Sequence, residues 1–133
     1  MKYLLDTDTL SFVASGEHKS LTTRVLNSTP DDLAISVVSR GEAEFGLRAA
    51  PIKCETERRM RGLLASLQCL TVTEAVALEY SDIRCALQSA GTPIGHNDMW
   101  IAAHARSLGL TVVTHNTREF GRVARLKVED WLA

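Results

Sequence analysis

The sequence predicts an α/β fold built on a short, mostly parallel sheet. Three observations point to it. Short apolar runs alternate with longer amphipathic stretches over the whole length. Each of those stretches is long enough to serve as a crossover between parallel strands. The first apolar run also ends abruptly on acids, as a buried strand does where it leaves a sheet.

Taken in order, Tyr3-Leu4-Leu5 is the first strand and delivers Asp6-Thr7-Asp8 at its C-terminal end. A short helix from Thr9 to Ser15 follows, closed by Gly16, with Asp8 in position to cap it. Leu21 to Leu26 reads as helix, and Ser28 to Asp32 as a turn. Leu33 to Val37 is the second strand. Ser39-Arg-Gly-Glu42 then matches the capping-box pattern, so a helix should run from about Arg40 to Ala49 and stop before Pro51.

Between Lys53 and Leu70, Met60, Leu63, Leu64 and Leu67 recur at helical spacing with charges opposite them. Leu70 to Thr73 is a brief strand. Val76, Tyr80, Ile83, Leu87 and Ala90 mark the next helix, ended by Gly91. After a Gly-Thr-Pro-Ile-Gly loop, His96 or Asn97 opens a helix through Trp100, Ile101 and His104 to Leu108, with Gly109 beyond its end. Leu110 to Thr114 is the clearest strand, and it breaks into the polar stretch from His115 to Glu119.

The 133 residues are 45% apolar, with 8 Gly, 3 Pro and a net charge of −1. This fits one domain spanning residues 1–133, excludes two full domains, and argues against disorder or a strongly cationic nucleic-acid binder. The N-terminus lacks a signal-peptide core, and no run reaches the roughly 20 apolar residues of a membrane span, so a cytoplasmic location is expected. Cys54, Cys69 and Cys85 have neither paired nor zinc-type spacing and read as reduced, buried, small hydrophobes.

In a parallel α/β sheet, ligands belong at the C-terminal ends of the strands. Asp6 and Asp8 leave the first strand, Glu42 lies just after the second, Asn116 and Glu119 follow the last, and Asp98 starts a helix. Two like charges about 5 Å apart repel by roughly 3 kcal/mol at an effective dielectric near 20, and three carboxylates contain three such pairs. A divalent cation or raised carboxyl pKa values must relieve that repulsion. Oxygen-only donors select hard ions, Mg²⁺ or Mn²⁺. A plain structural reading also exists, because Glu42 and Asp98 suit the first turn of a helix by capping and dipole alone. Asp6 directly follows a buried strand, where an unpaired carboxylate has little structural use. Asn116 also suits a turn, and Glu119 a solvated loop.

Four segments carry a family resemblance: Tyr3-Leu-Leu-Asp6-Thr-Asp8, Ile35 to Gly46, Pro93 to Ala105, and Val113 to Phe120. In order and over nearly the full length, they resemble the PIN-domain ribonucleases, and more narrowly the VapC-type toxins of bacterial toxin–antitoxin pairs. The Val-Glu-Asp-Trp131 tail is similar too. The resemblance implies a three-layer α/β/α sandwich and an endoribonuclease that cuts structured RNA, tRNA first and ribosomal RNA second, leaving 5′-phosphate and 3′-hydroxyl ends. It implies Asp6, Glu42 and Asp98 as metal ligands with Thr7 beside them. Many relatives place a fourth acid where Asn116 stands, so Asn116 or Glu119 would take over that part of the catalytic set. Asp8 stands where Asn is usual.

The resemblance also implies a VapB-like antitoxin, a homodimer and a toxin–antitoxin hetero-oligomer. A catalytically weak or inactive PIN-like RNA- or protein-binding module is the alternative, kept open by Asn116. Arg118, Arg122 and Arg125 adjoin the acids and are candidates for RNA phosphates. Lys53, Arg58, Arg59 and Arg61 read as a solvated helix face. His104 sits in an apolar stripe as a packed, hydrogen-bonded residue, His96 suits a cap, and Phe12, Phe45, Trp100 and Phe120 read as core. Haloacid dehalogenase-like phosphatases and response-regulator receivers do not fit, since Leu10 stands where the former need Thr and His115 follows Thr114 where the latter need Lys.

Overall fold

The computed structural model describes residues 1–49 and 51–132. The chain runs β1 (Tyr3–Leu5), α1 (Thr7–Ser15), α2 (Lys19–Asn27), a 3-10 turn at Pro30–Asp32, β2 (Leu33–Ser36) and α3 (Val37–Ala49). It continues through α4 (Cys54–Ser66), β3 (Gln68–Leu70), α5 (Glu74–Ala90), α6 (His96–Leu108), β4 (Thr111–Val113), α7 (Thr117–Phe120) and β5 (Lys127–Glu129).

The strands form one sheet in the order β3-β2-β1-β4-β5, and every pairing is parallel. Side chains alternate between its faces and so divide the core in two. Leu4, Ala34 and Val112 point to one side, where they pack with Ile83, Leu87, Ile101 and Phe120 from α5, α6 and α7. Leu5, Leu33, Ile35 and Val113 point to the other, against Leu10, Leu21, Ala43 and Leu64 from α1 to α4. This is the α/β/α sandwich. Among the described residues, no helix is long and apolar enough to cross a membrane.

The chain moves outward from β1 through β2 to β3, then returns to the other side of β1 for β4 and β5. The order therefore reverses between β1 and β4, and a crevice opens above their C-terminal ends, where ligands bind in open parallel sheets.

Several local expectations are corrected. The cap of α1 is Asp6, whose carboxylate accepts the Thr9 N–H, and Asp8 is exposed within the first turn. Helix α3 starts directly after β2, so Ser39 lies inside it and is buried. The hydroxyl that satisfies its early N–H groups is Ser36 Oγ, which accepts from Val38. Strand β3 is Gln68–Leu70 rather than Leu70 to Thr73, because Thr73 is the N-cap of α5. The two last elements, α7 and β5, are too short for a periodic signal and were not expected.

All three cysteines are exposed, contrary to the expected burial. Cys54 opens α4, and Cys69 lies on edge strand β3, beyond reach of either core. Phe45 is also exposed, on the outer face of α3 at the cleft, whereas Phe120 is fully buried. Trp100 and Phe12 are half-buried, and Trp100 stacks on Tyr80 with centroids 3.8 Å apart.

Candidate active site

Asp6 sits at the crevice between β1 and β4. It is 3% exposed, and both carboxylate oxygens are partnered: Oδ1 accepts the Thr9 N–H at 2.9 Å, and Oδ2 accepts the Thr114 hydroxyl at 2.6 Å. Thr114 Oγ1 in turn accepts the Asn116 N–H at 2.9 Å. One carboxylate thus joins the ends of β1 and β4 and sets the turn that follows. Burial pushes the Asp6 pKa up from its ordinary value, against the lowering effect of these hydrogen bonds.

Glu42 reaches the same place from the second turn of α3. The Thr7 hydroxyl donates to its Oε1 at 2.6 Å, and Ser39 Oγ lies 3.1 Å from that hydroxyl. Asp98 enters from the first turn of α6. Its carboxyl is pushed up to about 6, first by burial and then by repulsion from Asp6, Glu119, Glu42 and Asp8. Asp98 therefore feels every acid that the sequence had suggested for this edge. Glu119 is held by Asn116, whose Nδ2 donates to its Oε2 at 2.7 Å. A depression lined by Thr7, Val37, Gly41, Glu42 and Asn97 adjoins another lined by Glu42, Gly95, His96 and Asp98. Together they form an open cleft between α3 and the start of α6.

The family model of the PIN domain matches residues 3–126. The chain belongs to the PIN domain family. This PIN domain is 33% identical over 132 residues to "Ribonuclease VapC1" of Haemophilus influenzae (strain R2866), covering 98% of each chain. It is 34% identical over 131 residues to "tRNA(fMet)-specific endonuclease VapC" of Shigella flexneri, again covering 98% of each. Among solved structures, VapBC-1 from nontypeable Haemophilus influenzae matches with a TM-score of 0.86 and 32% identity over 100% of both chains. DNA-bound VapBC from Salmonella typhimurium matches with a TM-score of 0.86 and 33% identity over 98% of each.

The acids of this PIN domain are oxygen donors of the kind that suits Mg²⁺ or Mn²⁺, and their mutual repulsion is what a divalent cation relieves. Among the described residues, however, no three Asp, Glu, His or Cys side chains are gathered into a set that could hold an ion as they stand. The hydrogen bonds explain it. Thr9, Thr114, Thr7 and Asn116 hold oxygens of Asp6, Glu42 and Glu119 through neutral donors, so the carboxylates are kept near one another without converging on a point.

The three candidate arginines separate. Arg118 is exposed on α7, next to Glu119. Arg122 donates from Nη1 to the Pro93 carbonyl at 2.9 Å, and Arg125 lies 3.6 Å from Asp82 on α5. Both line a depression with Arg106, apart from the acid cleft. Sequence reasoning did not single out Thr114 as a site residue, although a Thr ending an apolar strand beside a second acidic edge was the available signal.

Proposed function

We propose that this PIN domain is a metal-dependent endoribonuclease toxin of the VapC type. The observation that carries the reading is Asp98, a half-buried carboxyl raised to about 6 first by burial and then by four other acids at one sheet edge. The names of the full-length relatives support the reaction class. Asp6, Asp98 and Glu42 would hold Mg²⁺ or Mn²⁺. When bound, that cation supplies charge neutralisation at the scissile phosphate and acidifies a water for in-line attack. Thr7 fixes Glu42 Oε1, Thr114 fixes Asp6 Oδ2, and Asn116 holds Glu119 Oε2. Arg118, exposed beside Glu119, would meet RNA phosphates.

The proposed setting is cytoplasmic. A VapB-like antitoxin is the proposed partner, supported by the VapBC neighbours, together with a homodimer and a toxin–antitoxin hetero-oligomer. The proposed substrate is tRNA, with ribosomal RNA second.

The test is cleavage of purified tRNA and ribosomal RNA by the purified chain with and without Mg²⁺. Wild type should cut only with metal, and Asp6→Asn and Asp98→Asn should each lower the rate by about 100-fold while circular dichroism stays native. Undiminished cleavage in both variants refutes the assigned site. A wild type that binds RNA but never cuts it would instead favour the binding module that Asn116 keeps open.

A further inference from the structure

We propose that His104 is a positioning residue which, through Ser36, sets the separation of Asp98 and Glu42 across the cleft. His104 is 1% exposed and Ser36 0%, and neither is among the residues that line the cleft. Imidazole Nε2 lies 2.9 Å from the Thr71 carbonyl, and Nδ1 lies 2.8 Å from Ser36 Oγ.

For a neutral ring the proton directions along this chain follow from its partners. A carbonyl oxygen can only accept, so Nε2 carries the hydrogen and donates to Thr71 O. In the neutral ring Nδ1 is then bare, and the Ser36 hydroxyl donates to it. Ser36 Oγ accepts the Val38 N–H at 3.1 Å, one of the donors left free where α3 begins. The relay thus runs from the start of α3, through Ser36 and His104, to the connection between β3 and α5.

Its ends explain its use. Asp98 lies six residues before His104 on α6, about 9 Å along the helix axis, and Glu42 lies six residues beyond Ser36. Helices α3 and α6 are also packed against each other. Fixing His104 to Ser36 therefore fixes the two helices that bring these acids together. Apolar Ile101, Ala102, Ala103 and Ala105 surround His104 on α6, where an imidazole is tolerated only with its hydrogen bonds satisfied.

The proposal rests on the reading that Asp98 and Glu42 hold the cation. Its test is the Mg²⁺ dependence of RNA cleavage by the full chain in His104→Met, His104→Gln and Ser36→Ala, each with its thermal midpoint. Met matches the volume without the hydrogen bonds, whereas Gln keeps an amide N–H for Thr71 and a carbonyl for Ser36. Half-saturating Mg²⁺ should rise about 10-fold in His104→Met and Ser36→Ala and return to within about 3-fold of wild type in His104→Gln. If His104→Met does not fold, the milder Ser36→Ala carries the comparison. In wild type, ¹⁵N spectra should show the hydrogen on Nε2.

Identical Mg²⁺ curves for Met and Gln, or a hydrogen on Nδ1 in wild type, overturn the positioning role. A wild type without Mg²⁺-dependent cleavage overturns the proposed function instead, and the ring tautomer still decides whether the relay exists.

Discussion

Asp98 carries a consequence for stability as well as for metal binding. Its pKa in the fold is about 6 against 3.8 ordinarily, so between those values the folded chain binds more protons than the unfolded one. Stability from this group is present below about pH 4 and is lost as pH rises through about 6. Burial raises Asp6 in the same direction. Asp98→Asn should therefore stabilise the metal-free protein at pH 7.5, by about 1 kcal/mol or about 4 °C in the thermal midpoint, with no gain at pH 4. Thermal melts at the two pH values check this, and equal shifts at both would show that the raised Asp98 carboxyl is not the cause. Asn116 offers a second residue-level test. In Asn116→Asp the donor to Glu119 becomes a further carboxylate, so half-saturating Mg²⁺ for cleavage should fall by about 3-fold or more. The titration of rate against Mg²⁺ reads it directly.

At the scale of elements, the last strand is held by side chains more than by its own short ladder. Trp131, 4% exposed, packs edge-on against Tyr3 at 4.9 Å, and its Nε1 donates to Glu129. Arg24 from α2 lies over the indole at 4.3 Å and pairs with the same Glu129. Trp131→Ala removes these contacts at once and should destabilise the chain by about 3–4 kcal/mol in urea unfolding. Because β5 does not line the cleft, cleavage by the folded fraction should be unchanged. A pattern search cannot find such an element, since Lys127-Val-Glu129 is three residues with one apolar side chain. The three-dimensional neighbours Tyr3 and Arg24 are more than 100 positions away in sequence. Strand β1 is equally short, yet it was legible because its two buried leucines end on an acid.

For the molecule as a whole, net charge first counted against a nucleic-acid enzyme. Setting aside Asp6, Asp8, Glu42, Asp98 and Glu119, five of the 16 acids, leaves 11 against 15 bases. The fold segregates those five at one edge, where four of them raise the pKa of the fifth. RNA binding should then be moderately salt-dependent. Arg118→Ala should reduce the slope of log affinity against log salt by about 0.7, the value for one phosphate contact on a single strand. An Arg125→Ala variant should leave the slope unchanged, because that side chain turns to Asp82. Nuclease-free binding in the Asp6→Asn background measures both.

The sequence alone determined the layered fold, the order of its main elements and the acids assigned to the cleft. Those follow from periodicity, from caps such as Gly16, Gly91 and Gly109, and from acids placed where apolar strands end, all of which are short-range signals. Tertiary structure decided what those acids do to one another. It made Asp6 rather than Asp8 the helix cap, moved the cap of α3 from Ser39 to Ser36, sent Arg122 and Arg125 away from the cleft, and left the cysteines exposed. It also joined β1 to β4 through Asp6 and Thr114, and α6 to the start of α3 through His104 and Ser36. The reason is physical: hydrogen bonds and Coulomb repulsion act over a few ångströms, and only the parallel sheet brings residues 108 and 68 positions apart within that range.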